Sequence, residues 1–95
     1  MIRVTVAGAA GRMGREVCRA ALEDPEVVLA GGVVEPGSPE VGADLGELCG
    51  AGRAGVAASE EPPPEAGVLV EFTTPEATVE HLSYGLPAVI GTTGL

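Results

Sequence analysis

Apolar residues follow two rhythms along this chain. Ile2, Val4 and Val6 alternate with Arg3, Thr5 and Ala7, so residues 2–7 predict a strand. Thr5 adds a β-branched side chain to its second face, as in a buried parallel strand. From residue 12 the period lengthens. Met13, Val17, Ala20 and Ala21, joined by Cys18, share one face at i, i+4, i+7 and i+8. Arg12, Arg15, Glu16, Arg19 and Glu23 fall mainly on the rest, which predicts a helix over 12–23, ended by Asp24-Pro25. Val27 to Val34 predicts a second strand, weakened by Gly31-Gly32; Glu35 closes it, and Pro36-Gly37-Ser38-Pro39 forces a loop.

Residues 40–55 are Gly-rich, and Asp44 to Leu48 holds at most one short helical turn. Val56 to Ala58 predicts a short edge strand. Glu60 to Pro64 is an acidic, proline-rich linker, and Glu60, Glu61 and Glu65 read as solvated charges. Val68 to Phe72 is the next strand. Thr74-Pro75-Glu76 then opens a helix with a Thr cap, a Pro in the first position and an acid in the first turn. Ala77, Val79 and Leu82, with Tyr84, form its apolar side, and Gly85 stops it. Pro87 to Ile90 is the last strand and runs into Gly91-Thr92-Thr93-Gly94. Strands alternating with helices predict an α/β fold, a Rossmann-like parallel sheet flanked by helices. Ligands of such sheets bind outside the carboxyl ends of the strands. Residues 8–14, Glu35, residues 72–74 and residues 91–94 are therefore expected to meet at one edge.

Composition narrows the partners. The 95 residues suffice for one small domain or part of a larger protein, and carry a net charge of −9. A surface this acidic argues against nucleic acid or an anionic membrane as partner. All five basic residues are arginines. The absence of lysine removes a Schiff-base, Walker or acid lysine from these residues. Cys18 and Cys49 have no metal-ligand spacing and read as free thiols. Met1 leads into a strand with no basic n-region, and no apolar run approaches the ~20 residues of a membrane span. The expected setting is cytoplasmic, with no metal.

Gly8, Gly11 and Gly14 stand at three-residue spacing between the first strand and the first helix. Small residues in such a turn also serve helix packing, and this spacing departs from GxGxxG. Ala9 and Ala10 keep every position up to Gly11 small, so that backbone amides can close on a pyrophosphate at the helix N-terminus. Glu35 closes the second strand about 20 residues further on, where an acid accepts the adenosine ribose hydroxyls of a dinucleotide. The next residue is Pro36, not arginine. A carboxylate without a neighbouring cation repels a 2′-phosphate, so NADH is expected in preference to NADPH. Arg12 is placed for either the pyrophosphate or a 2′-phosphate. Thr92 and Thr93 end a strand where the nicotinamide ribose or carboxamide would lie. His81, inside the second predicted helix, reads as a surface or boundary histidine.

Val6 to Arg15 with its Gly-Arg-Met-Gly, Glu35, Glu71-Phe-Thr-Thr-Pro-Glu76 and Val89-Ile-Gly-Thr-Thr-Gly-Leu95 occur in this order. Together they resemble the nucleotide-binding half of the dihydrodipicolinate reductases (4-hydroxy-tetrahydrodipicolinate reductases), over essentially the whole chain. Gly46 to Gly52 also looks like that family's loop between these motifs.

The resemblance implies an NAD(P)H-dependent oxidoreductase of lysine and diaminopimelate biosynthesis. Its cofactor would be held by Gly8, Ala9, Ala10, Gly11, Arg12 and Met13 at the pyrophosphate, by Glu35 at the adenosine ribose, and by Phe72, Thr73, Gly91, Thr92 and Thr93 near the nicotinamide. In the family an arginine often follows the ribose-binding acid; Pro36 stands there here. The stretch from Glu76 to Gly91 is also several residues shorter than usual. The family's substrate domain, with its His-His and lysine-containing segments, does not occur within residues 1–95. The dicarboxylate substrate and the homo-oligomeric assembly would belong to that domain. The expectation is a chain that binds cofactor without catalysis. Two other readings stay open: a stand-alone NAD(H)-binding or redox-sensing module, and a small domain whose glycines serve packing alone.

Overall fold

A computed structural model describes residues 2–63, 67–71 and 88–90. The elements are β1 (Ile2–Ala7), α1 (Arg12–Glu23), β2 (Val27–Val33), α2 (Leu45–Leu48), β3 (Ala58–Ser59), β4 (Val68–Glu71) and β5 (Ala88–Ile90). They form one sheet in the order β3-β2-β1-β4-β5, with every neighbouring pair parallel. This is the Rossmann-like α/β arrangement that the alternation predicts. The chain steps outward from β1 through β2 to β3, then returns across the sheet to β4. The order of strands therefore reverses between β1 and β4, the place where such sheets open a crevice for ligands.

Register brings the carboxyl ends of the strands into one row. Ala7 pairs with Val33 and with Glu71, Val33 with Ser59, and Glu71 with Ile90. All five strands therefore end at the same edge of the sheet. Burial follows that edge: Ile2 and Arg3 are exposed, whereas Thr5, Val6 and Ala7 are fully buried. Only the carboxyl half of β1 is thus a strand covered on both faces.

One core layer, under α1 and α2, gathers Val6, Ala9, Cys18, Ala21, Leu29 and Leu45. On the other face of the sheet Ala7, Val33 and Leu69 form a second cluster. The register of β1 against β2 slips between Val4 and Thr5, so that Leu29 pairs with Val4 but Gly31 with Thr5. Ala30 is the extra residue of this bulge. As consecutive strand residues, Gly31 and Gly32 face opposite sides of the sheet, and each admits a neighbour that a side chain would displace. A β-carbon on Gly32 would lie 2.7 Å from Leu45 Cδ2 and 2.9 Å from Ala9 Cβ; one on Gly31 would lie 2.8 Å from the Pro63 ring. The glycine pair that reads as a weakness of the strand is where both layers close on it.

Three expectations need correction. Helix α1 buries Gly14, Cys18 and Ala21, whereas Met13 is 51% exposed and Ala20 lies outward. The closest approach to the sheet is at Gly14, which rotates the buried face away from Met13. The edge strand is Ala58–Ser59 rather than 56–58, because the chain before it forms an antiparallel bridge from Ala57 to Asp44 instead. β2 ends at Val33, and the Val34 amide already turns to Ser59 O, at 2.9 Å. The helix predicted from Thr74, with His81, lies outside the described residues. Among the described residues no helix is long and apolar enough to cross a membrane.

Candidate functional site

The glycine turn is set by backbone bonds that leave little freedom. Gly8 adopts φ +77°, a conformation open to glycine and strained for other residues. The Val33 carbonyl accepts both the Gly8 amide at 2.9 Å and the Ala9 amide at 3.1 Å. The Gly8 carbonyl accepts the Gly11 amide at 3.0 Å and is also the group against which Gly14 packs. Arg15 Nε donates to the Ala10 carbonyl at 2.8 Å and braces the turn from the helix side. The chain therefore passes from β1 to α1 in four residues, pinned to β2 on one side and to its own helix on the other.

This geometry separates the six turn positions by what each can offer. Ala9 is 1% exposed, its methyl lies in the core and its amide is taken by Val33; its contribution is smallness. Gly11, Arg12 and Met13 are exposed, and Gly8 and Ala10 are half-buried. Gly11 is the N-cap of α1, without a side-chain hydrogen bond, and no acid lies in the first turn. Opening residues of a helix have amides with no intrahelical acceptor. Here they are accompanied by Arg12 and Arg15, where the helix dipole ordinarily favours an acid. In a chain of net charge −9, this is a local concentration of positive potential suited to an anion.

Glu35 is exposed just beyond β2. Its carbonyl accepts the Ser38 amide at 3.1 Å, which makes residues 35–38 a tight turn. The Gly37 amide donates to Glu60 Oε2 at 2.9 Å. Glu60 is exposed, in line with its reading as a solvated charge, and in addition it ties the segment after β3 to the turn after β2. The available signal was positional: Glu60 follows an edge strand that ends in the same row as the other strands.

Asp44 is a second residue whose role local spacing did not reveal. Its Oδ2 accepts the amides of Glu47 at 3.0 Å and Ala54 at 2.8 Å, and its Oδ1 those of Gly55 at 2.7 Å and Val56 at 3.2 Å. The Ala54 bond does most to hold this carboxyl below its ordinary range; desolvation opposes it, and the other three amides add to the lowering. The Asp44-x-x-Glu47 pattern of a helix start was a legible hint. Asp44 thereby folds the Gly-rich loop over α2 and seats Leu45 against Ala9, beneath the glycine turn.

Phe72, Thr73, Gly91, Thr92 and Thr93 lie outside the described residues. In sequence, Phe72 follows Glu71 and Gly91 follows Ile90, the paired last residues of β4 and β5. Cys18 and Cys49 are free. A cavity of about 460 Å3 lies beside Gly31 and β3, lined in part by Val56, Ser59, Glu61 and Pro63; it includes no residue of the glycine turn.

Comparison with known proteins follows the same lines. The family model described as "Dihydrodipicolinate reductase, N-terminus" matches residues 2–95. A protein of Chromohalobacter salexigens named 4-hydroxy-tetrahydrodipicolinate reductase is 51% identical over 100% of this chain and 38% of its own length. Proteins of the same name from Methylococcus capsulatus and Rhizobium meliloti are 46% and 44% identical, each over 99% of this chain. The chain spans 38% to 42% of the length of these relatives.

Proposed function

The chain belongs to the dihydrodipicolinate reductase family, as its N-terminal part, and from that premise we propose that it is the unit that binds the nicotinamide dinucleotide in such a reductase. The observation that carries this reading is the uncapped, arginine-bearing N-terminus of α1, joined to β1 by a turn of small residues. It stands at the carboxyl edge of a parallel sheet, one strand away from the exposed Glu35.

In this reading the pyrophosphate meets the turn from Gly8 to Met13. Gly11 and Ala10 bring the backbone close, Arg12 adds charge, and Ala9 supplies only its small size. Glu35 accepts the hydroxyls of the adenosine ribose. Phe72, Thr73, Gly91, Thr92 and Thr93 border the nicotinamide end. Residues 1–95 form the dinucleotide-binding domain, and the substrate-binding part of the reductase is a separate domain. NADH is preferred, because Glu35 is followed by Pro36 rather than by a cation; NADPH is the weaker ligand.

When bound, the dinucleotide supplies a hydride. The reaction served is the reduction of a cyclic dicarboxylate in lysine and diaminopimelate biosynthesis. Residues 1–95 hold no lysine and a single histidine. Substrate capture and proton donation fall to residues outside this stretch, and homo-oligomeric assembly is assigned there too. By itself the 95-residue chain binds cofactor without turning over substrate.

Isothermal titration with NADH and NADPH tests the reading. Heat with both, and tighter binding of NADH, is the expected result. A folded chain that gives no heat with either defeats it. Oxidation of NADH by the purified chain in the presence of substrate would overturn the assignment of catalysis elsewhere.

A further inference from the structure

Glu60 directly follows β3, and its carboxylate accepts an amide from a loop 23 residues away in sequence. The backbone on either side of it is held. Ser59 accepts the Val34 amide at 2.9 Å through its carbonyl, and its hydroxyl donates to the Glu61 carbonyl at 2.7 Å. An exposed glutamate ordinarily keeps its rotamer freedom in water. This one is fixed on Gly37, two residues beyond Glu35, by a charge-assisted bond.

We propose that Glu60 is a positioning and specificity-determining residue for the dinucleotide: it holds the Glu35–Ser38 turn for the adenosine ribose, and it sets a second negative charge where a 2′-phosphate would lie. The proposal rests on the cofactor-binding role given above. A sheet of this kind that accepts a 2′-phosphate places a cation just beyond the second strand. Here the first two residues after Glu35 are Pro36 and Gly37, and the Gly37 amide carries a carboxylate. The phosphate dianion therefore meets two acids and no cation from this loop. The two effects have separate origins: the hydrogen bond acts on either dinucleotide, the charge on NADPH alone.

Two substitutions separate them. Glu60→Gln keeps an acceptor oxygen for the Gly37 amide and removes the charge. Glu60→Ala removes both. The full 95-residue chain and both variants are titrated calorimetrically with NADH and NADPH, and the fold of each is checked by circular dichroism. For Glu60→Gln, the NADH Kd is expected within about two-fold of the parent while NADPH binds about three-fold tighter, as for removal of one solvent-screened charge. For Glu60→Ala, NADH binding is expected to weaken about five-fold, because the Glu35–Ser38 turn is no longer held in place before the ribose arrives. A parent chain that binds NADH, with an unchanged NADH Kd in Glu60→Ala and an unchanged NADPH-to-NADH ratio in Glu60→Gln, overturns the role of Glu60 alone. A folded parent chain that binds neither nucleotide overturns the cofactor reading, and this proposal with it.

Discussion

Gly14 in α1 lies against the carbonyl oxygen of Gly8, so close that a β-carbon at 14 would overlap that oxygen and stand 2.8 Å from the Ala9 α-carbon. The obstacle is backbone on both sides, so no rotamer change relieves it. Gly14→Ala must lever α1 off β1. It is expected to cost roughly 3 kcal/mol of overpacking, set against about 1 kcal/mol gained in helix propensity, and so to lower the urea midpoint clearly. Gly11 is the contrast. Its φ of −76° suits any residue, and a β-carbon there would meet the Gly8 oxygen only at 3.4 Å. Gly11→Ala is expected to cost below about 1 kcal/mol, the loss of a favoured cap residue. Equal midpoints for the two variants would show that Gly14 is not the point of contact.

Asp44 makes a pH prediction with a definite sign. Four amides hold its carboxyl below the ordinary value of 3.8 in the folded chain. The stabilisation is complete above that value and is lost as pH falls through the lower, folded one. Asp44→Asn keeps one acceptor oxygen and turns an NH2 group toward two amide donors, so the loop from Ala54 to Val56 loses its anchor. Urea unfolding should show Asp44→Asn less stable than the parent at pH 7, with the gap narrowing as pH drops below about 3.8. A gap that is constant down to pH 2 would mean that the ionised carboxylate is not what holds the loop.

How far the sequence discloses this molecule depends on the reach of each interaction. β1 and α1 occur over the very residues that their periodicity indicates, because an alternating strand, a glycine turn and an amphipathic run are local signals. The buried face of α1 is misread for a physical reason. Gly14 has no side chain and so does not count in a hydrophobic pattern, yet it is where helix meets strand. Gly31 and Gly32 mislead in the same way, since Leu45 and Pro63, the residues that need the space, lie far along the chain. Within the candidate site, the glycine turn and Glu35 are legible from spacing to a strand end. The Glu60 bond and the reach of Asp44 beyond its own helix start are not, because those partners lie up to 23 and 12 residues away and no local pattern specifies such bonds.

The two thiols should differ sharply in reactivity. Cys18 is 1% exposed in the core, and burial, with a smaller contribution from the nearby Cys49, pushes its pKa from 9.0 up to about 11. Cys49 is only part-buried and donates to the Gly46 carbonyl at 3.4 Å. A disulfide reagent at pH 8 is expected to modify Cys49 in minutes and Cys18 only at the rate of unfolding. Because the folded chain resists forming the Cys18 thiolate, stability is whole below pH 9.0 and declines as pH rises toward about 11. Cys18→Ala should remove that alkaline decline while costing some core packing. Rapid modification of both thiols in the folded chain would contradict the seating of α1 on the sheet.

In the cofactor reading proposed above, the choice between the two dinucleotides would rest first on Glu35 and the residue after it. If Glu35 accepts ribose hydroxyls, each charge-assisted bond contributes about 1.5–3 kcal/mol, so Glu35→Ala should weaken NADH about ten-fold or more. NADPH, whose 2′-oxygen carries the phosphate and whose charge Glu35 repels, should be weakened less or bind better. Pro36→Arg tests the other half. The turn from Glu35 to Ser38 is closed by the Ser38 amide and held at Gly37 by Glu60. Neither bond uses residue 36, and the exposed position leaves room for an arginine. That variant is expected to tighten NADPH about ten-fold and leave NADH within about two-fold, the signature of a new phosphate contact rather than of a rebuilt loop. Calorimetric titration of the parent and the two variants reads both ratios. A parent chain that prefers NADPH, or a Pro36→Arg variant whose preference does not move, would place the 2′-position of the nucleotide away from this turn.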